Sequence, residues 1–189
     1  MSSSTMNKKI VQYFNEVLAM ENAAADRIQS RMNETPIEQT KQQLQYHLEQ
    51  TFQQQDRLRN IITNLGGNPT TMKAALPKLM PTNMDTISNT AKEAAKSLVS
   101  SESKDDTIDA EKELIQTKED AIIENAEIVS YKMLIHMAQE IGLQDVVPLL
   151  NKSVQEETSM VNFIMGNAPL VLRLMLPKLE ASTPGKKIT

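Results

Sequence analysis

Cysteine is absent from this 189-residue chain, which removes disulfides, thiolate nucleophiles and zinc–thiolate sites together. Tryptophan is absent too, and three Tyr with three Phe are the whole aromatic content. Leu, Ile, Val, Ala and Met must supply the core, a composition that favours helix packing over a β-sandwich. There is no basic excess: 20 Lys and Arg against 24 Asp and Glu leave a net charge of −4. General nucleic-acid binding, which needs a basic footprint, is therefore disfavoured. No glycine-rich phosphate loop and no Ser/His/Asp set is present. The opening MSSSTMNKKIVQYFNEV lacks the apolar stretch of a signal peptide. The longest apolar run, PLVLRLML at 169–176, contains Arg173 and falls short of the ~20 residues of a membrane span. These absences give the expectation of a cytoplasmic protein with neither nucleic acid nor membrane as partner.

What is present is helical periodicity. Ile10, Phe14, Val17, Ala24 and Ile28 mark one helix from about Asn7 to Met32, with one heptad position filled by Glu21. Thr35-Pro36-Ile37-Glu38 reads as a capping box opening a second helix. Its apolar positions are Leu44, Leu48, Leu58, Ile62 and Leu65, and Gly66-Gly67-Asn68-Pro69 ends it. A third helix is expected from about Thr107 to Ile141, stopped by Gly142. The fourth runs from about Asp145 to Met165 on Val147, Leu150, Val154, Val161 and Ile164, with Glu157 in its seam. Two tight turns and a connection of about forty residues make two hairpins joined by a long crossover, the ferritin-like form of the four-helix bundle.

The expected fold is thus all-α, with short extra helices in the crossover (TTMKAALPKLMP and TISNTAKEAAKSLV) and in the C-terminal tail. The expected organisation is a disordered N-terminus over 1–6, a bundle over 7–165 with its crossover at 66–107, and an apolar extension with a flexible tail over 166–189. Pro69 to Pro77-Lys78-Leu79 echoes as Pro169 to Pro177-Lys178-Leu179, each after a glycine read as ending a hairpin, Gly66 and Gly166.

Counted from the turns, Glu21 and Glu49 fall at one depth, and so do Glu127 and Glu157. Glu124 lies on the same face as Glu127. Several carboxylates converging in mid-bundle need protons, arginines or metal ions to offset their charge. Inward-facing arginine is not evident near them, and oxygen ligands from four helices suit iron or manganese.

The segments NEVLAMENAAADRI, YHLEQTFQQQDRLRNIITNLGGNP, IIENAEIVSYKMLIHMAQEIGLQDVVPLL and QEET resemble, in order, the YciE/YciF ferritin-like family. The resemblance runs from about residue 15 to 165. It implies a four-helix bundle of the stress-related, iron-binding or ferroxidase kind. It implicates Glu21, Glu49, Glu124, Glu127 and the pair Glu156/Glu157, of which Glu157 lies in the seam. Three departures stand out. Phe52 and Met160 occupy the third position after Glu49 and Glu157, where the di-iron pattern has histidine. Glu124-Asn125-Ala126-Glu127 replaces the family's Glu-His-Tyr-Glu.

His47, about 200° round the helix from Glu49, is read as structural. So is His136, on another side from Glu124, and the twelve Met are read as core filler. Tyr131 continues the Glu124 face and could hydrogen-bond a ligand. A second apolar face on the third helix (Ile115, Ile122, Ala126, Val129, Met133) and the tail NAPLVLRLMLPKL point to packing between copies. The functional expectation is an iron or manganese site used with oxygen or peroxide, in a homo-oligomer. The alternative is a metal-free helical bundle acting as an oligomeric structural or partner-binding stress protein.

Overall fold

The computed structural model describes residues 3–76 and 102–181. The regular structure among them is wholly helical. It comprises α1 (Ser3–Glu34), α2 (Glu38–Asn64), α3 (Glu102–Glu140), one 3-10 turn (Gln144–Val146) and α4 (Val147–Ala181). Among the described residues, one compact unit holds 3–76 and 121–163, and a second holds 102–120 and 164–181.

The first unit is a four-helix bundle of α1, α2, the C-terminal half of α3 and the N-terminal half of α4. Its apolar core joins Ile10, Phe14, Val17 and Leu18 of α1 to Leu58, Ile61 and Ile62 of α2. Tyr131, Leu134, Ile135 and Ala138 of α3 and Leu150 of α4 complete it. Each fully buried Leu, Ile or Phe contributes about 1.5–3 kcal/mol relative to exposure. These residues gather towards the α3–α4 turn. The next layer along all four helices is polar, and it carries the candidate site.

The helices α2 and α3 end in the same device. Gly66 (φ +77°) follows α2, with Gly67 N–H donating to Ile62 O and Gly66 N–H to Thr63 O. Gly142 (φ +79°) follows α3, with Leu143 N–H donating to Ala138 O and Gly142 N–H to Gln139 O. This pair of hydrogen bonds around a left-handed residue satisfies carbonyls in the last turn of a helix. Gly67 has a second reason: a Cβ there would lie 2.4 Å from a Val11 methyl.

The start of α2 differs from the expected capping box. The helix begins at Glu38, with Ile37 as its cap residue and no side-chain cap bond. Thr35 Oγ1 instead accepts from Ile37 N–H within the turn. Residues 70–76 are irregular rather than helical, because α1 takes their backbone groups. Asn15 Nδ2 donates to Asn68 O and Asn15 Oδ1 accepts from Thr70 N–H. Asn22 Nδ2 donates to Met72 O, and Ala74 N–H donates to Ala19 O. Asn15, Ala19 and Asn22 share one face of α1, so the strap lies along the helix. The remainder of that expected helix, and all of TISNTAKEAAKSLV, lie outside the described residues.

The helices are also longer than expected. α1 starts at Ser3, inside the N-terminus expected to be disordered, and α3 starts at Glu102. α4 runs on through Gly166, Pro169 and Pro177 to Ala181, so Gly166 ends no helix and the internal echo has no structural counterpart there. Each proline leaves a carbonyl four residues earlier without its N–H. Met165 and Arg173, which carry those carbonyls, are exposed, so water can serve them. The segment Gln144–Pro177 also contains a stretch long and apolar enough, by length and composition alone, to cross a membrane, against the expectation of no such run. Its inner face nevertheless carries Ser153, Glu156 and Glu157, all buried within the chain.

Candidate metal centre

Seam spacing places every side chain of the polar layer. On α1, Glu21 continues Phe14 and Val17 and is 1% exposed. On α2, Leu44, His47, Thr51, Gln54 and Leu58 follow one another at steps of three and four, and all five are buried. Glu124, Glu127 and Tyr131 do the same on α3, and Ser153, Glu157 and Met160 on α4.

At the centre, His47 Nε2 lies 3.0 Å from Glu124 Oε2 and 3.3 Å from Glu157 Oε2. One ligand atom from each of these three buried residues falls within 4.8 Å of the other two. His47 Nδ1 is 3.3 Å from Gln50 Oε1. That amide oxygen can only accept, so Nδ1 carries a proton and Nε2 faces the carboxylates. On the other side, Gln54 Nε2 donates to Glu157 Oε1. Tyr131 Oη donates to Glu21 Oε1 at 2.6 Å, and Gln55 Nε2 donates to the Glu21 carbonyl at 3.1 Å. Tyr131 therefore bonds directly to one of the sequence-predicted acids.

The sequence-predicted set divides. Glu21, Glu124, Glu127 and Glu157 come together in one layer. Glu49 does not join them: it is exposed, because the inner face of α2 runs through His47 and Thr51 instead. Phe52 is 44% exposed, so its ring occupies no ligand position. Glu156 is buried, but it forms an ion pair with Arg57, which also donates to Ser153 Oγ at 3.1 Å. An arginine thus does reach this level, contrary to expectation. The reading of His47 as merely structural is corrected as well: it is the nitrogen donor of the cluster. His136 is exposed, as its position suggested.

Burial and mutual repulsion govern the protons. Burial, then the charge on Glu157, holds the Glu21 carboxyl well above the usual range, against the Tyr131 hydrogen bond. Glu127 is pushed up by burial and then by Glu21, Glu157 and Glu124. Glu157 rises to about 8, chiefly through burial and with the charge on Glu124, against the hydrogen bond from His47. For His47, burial favours the neutral ring, but the charge and hydrogen bond of Glu124, with help from Glu157, raise it well above its ordinary value. Without a metal, the layer keeps at neutral pH protons that free carboxyl groups would already have released in acid.

The donor set fits a divalent cation. Glu127 Oε1 and Gln54 Oε1 are fully buried with no hydrogen-bond partner. Glu124 Oε2 and Glu157 Oε2 both face the single Nε2 of His47, at 3.0 and 3.3 Å. Buried orphan oxygens are costly, by about 1–3 kcal/mol each or more when charged, and a cation would relieve them. One imidazole with several carboxylates suits iron or manganese.

Solved structures share this architecture. The stress protein YciF of E. coli superposes with a TM-score of 0.65 at 17% identity, over 92% of this chain and 99% of that one. The bacterioferritin of Desulfovibrio desulfuricans, described with a diiron site, gives 0.67 at 15% identity over 99% and 96%. A ferritin-like, diiron-carboxylate protein from Bacillus anthracis gives 0.63 at 16% over 87% and 96%. At such identities the likeness concerns the fold, which is that of a ferritin-like four-helix bundle. No curated protein matches the chain. The sequence profile of a domain of unknown function, DUF892, covers residues 6–174, and the chain belongs to that family.

Proposed function

We propose that this ferritin-like protein binds iron or manganese in its mid-bundle polar layer and uses the metal in iron or peroxide handling under stress, in the cytoplasm. The observation that carries this reading is the buried triad His47, Glu124 and Glu157, with Glu21 and Glu127 beside it. Four carboxylates and one imidazole are far more acid than a bundle core needs, and stability alone gives no reason to keep them. Bound ferrous iron would supply the electron taken up by oxygen or peroxide. The chain's own residues would hold the cation, keep bulk water out and hold protons beside it. Met160 beside Glu157 stands where the di-iron pattern has histidine, so the residues at hand favour a site leaner in nitrogen than that pattern. The exposed Ile122, Val129 and Met133 on α3 support assembly of copies into a homo-oligomer.

The test is elemental analysis of untagged protein purified without chelator, followed by anaerobic Fe(II) titration and exposure to air. Stoichiometric metal and oxidation faster than in buffer are expected. No metal and no acceleration would sink the reading and favour the metal-free bundle.

A further inference from the structure

Resting on that metal-binding reading, we infer that the centre takes one divalent cation per chain, at His47, Glu124 and Glu157, and that the Gln54 carboxamide closes off a second position. A pair of ions needs carboxylates that bridge, each with both oxygens available, and further ligands on the far side. Glu157 touches both His47 and Gln54. Its Oε2 faces His47, but its Oε1 accepts from Gln54 Nε2. An amide NH2 group is a donor and cannot ligate a cation. Beyond it, Glu21 Oε1 is held by Tyr131 Oη, and the chain's other histidine, His136, is exposed. Of the far acids, Glu127 alone keeps an unpartnered oxygen, Oε1, and one carboxylate oxygen is too few to hold a second ion while Glu157 Oε1 is tied to Gln54.

The near half is furnished for one ion. Three donor atoms within 4.8 Å of each other span about what a single cation with ~2.1 Å bonds bridges after a small contraction. The Nδ1–H bond to Gln50 leaves the Nε2 lone pair free to bind when the ring is neutral. Two carboxylates and a neutral ring carry two negative charges, which one divalent ion cancels in a buried site.

Manganese(II) is a suitable probe, since it is stable in air and its paramagnetic spectrum separates lone ions from coupled pairs. The untagged protein would be saturated with Mn(II), freed of excess by gel filtration and analysed for metal per chain and by electron paramagnetic resonance. One Mn per chain with an isolated six-line signal is expected. His47→Ala and Glu124→Gln should each weaken binding by at least about 10-fold with helicity by circular dichroism unchanged. Gln54→Glu, nearly isosteric, should raise the content to two per chain with a coupled signal. Two Mn per chain in the unaltered protein would overturn the inference while leaving metal binding intact. No Mn at millimolar concentration would overturn both. A Gln54→Glu protein that still takes one would show that Gln54 is not what closes the second position.

Discussion

With chelator present, the protein should become less stable as pH rises from about 5 to about 8. The perturbation is proton loss from the buried layer. Glu21, Glu127 and Glu157 all titrate above the ordinary carboxyl value in the folded state, Glu157 at about 8. An unfolded chain releases those protons near pH 4.5. Between the two values the folded state binds more protons, so stability is greatest below the unfolded pKa and is lost as pH climbs through the folded one. His47, raised above 6.5, adds to the loss in the same direction at the upper end of the range. Each excess proton is worth about 1.4 kcal/mol per pH unit. A single one acting over three units removes about 4 kcal/mol, a large part of a typical 5–15 kcal/mol total. Urea midpoints at pH 5, 6, 7 and 8 in EDTA should therefore fall steadily. Saturating Mn(II) should flatten or reverse the trend, because metal and protons compete for the same atoms. Glu127→Gln should reduce the slope. A midpoint that is flat or rises with pH in EDTA would refute the claim that these acids are buried and protonated.

Other substitutions test individual supports. Gln50→Leu removes the acceptor that orients His47 and should lower Mn(II) affinity by about 10–100-fold without changing the stoichiometry, measured by calorimetric titration. Tyr131→Phe strips Glu21 Oε1 of its partner and should cost about 1–3 kcal/mol in denaturant unfolding. Leu58→Ala empties a wholly buried core position and should cost about 2–5 kcal/mol by the same assay. Gly66→Ala forces a Cβ into a left-handed residue and should cost about 1–2 kcal/mol. Gly67→Val, whose Cβ meets Val11, should cost more than Gly66→Ala, and equal losses would undo the close-approach argument.

The legible parts of the sequence were those where apolar residues recur without a gap. On α1, Ile10, Phe14 and Val17 fix the phase before Glu21, and Ala24 and Ile28 confirm it after, so the acid is read as buried, and it is. On α2 the only apolar residue between Leu48 and Leu58 is Phe52, which is exposed and so gives a false phase across that gap. The depth counted from the turn and the family resemblance put Glu49 inside, and His47, about 200° away, then falls outside. Anchoring on Leu44 and Leu58 gives steps of three and four through His47, Thr51 and Gln54. That is the face the bundle buries. The signal was available, but it was polar, and hydrophobic periodicity is blind to polar residues. The irregular strap at 70–76 was missed for a different reason: its partners are side chains of α1 some fifty positions earlier, and no local propensity reports them. The two failures have different consequences for function. An error in the strap leaves the site unchanged. An error of phase on α2 exchanges a carboxylate for an imidazole and an amide. On the proposed metal-binding reading, it turns an all-carboxylate cage into a histidine-anchored one, in which Gln54 rather than Phe52 would set how many ions can enter.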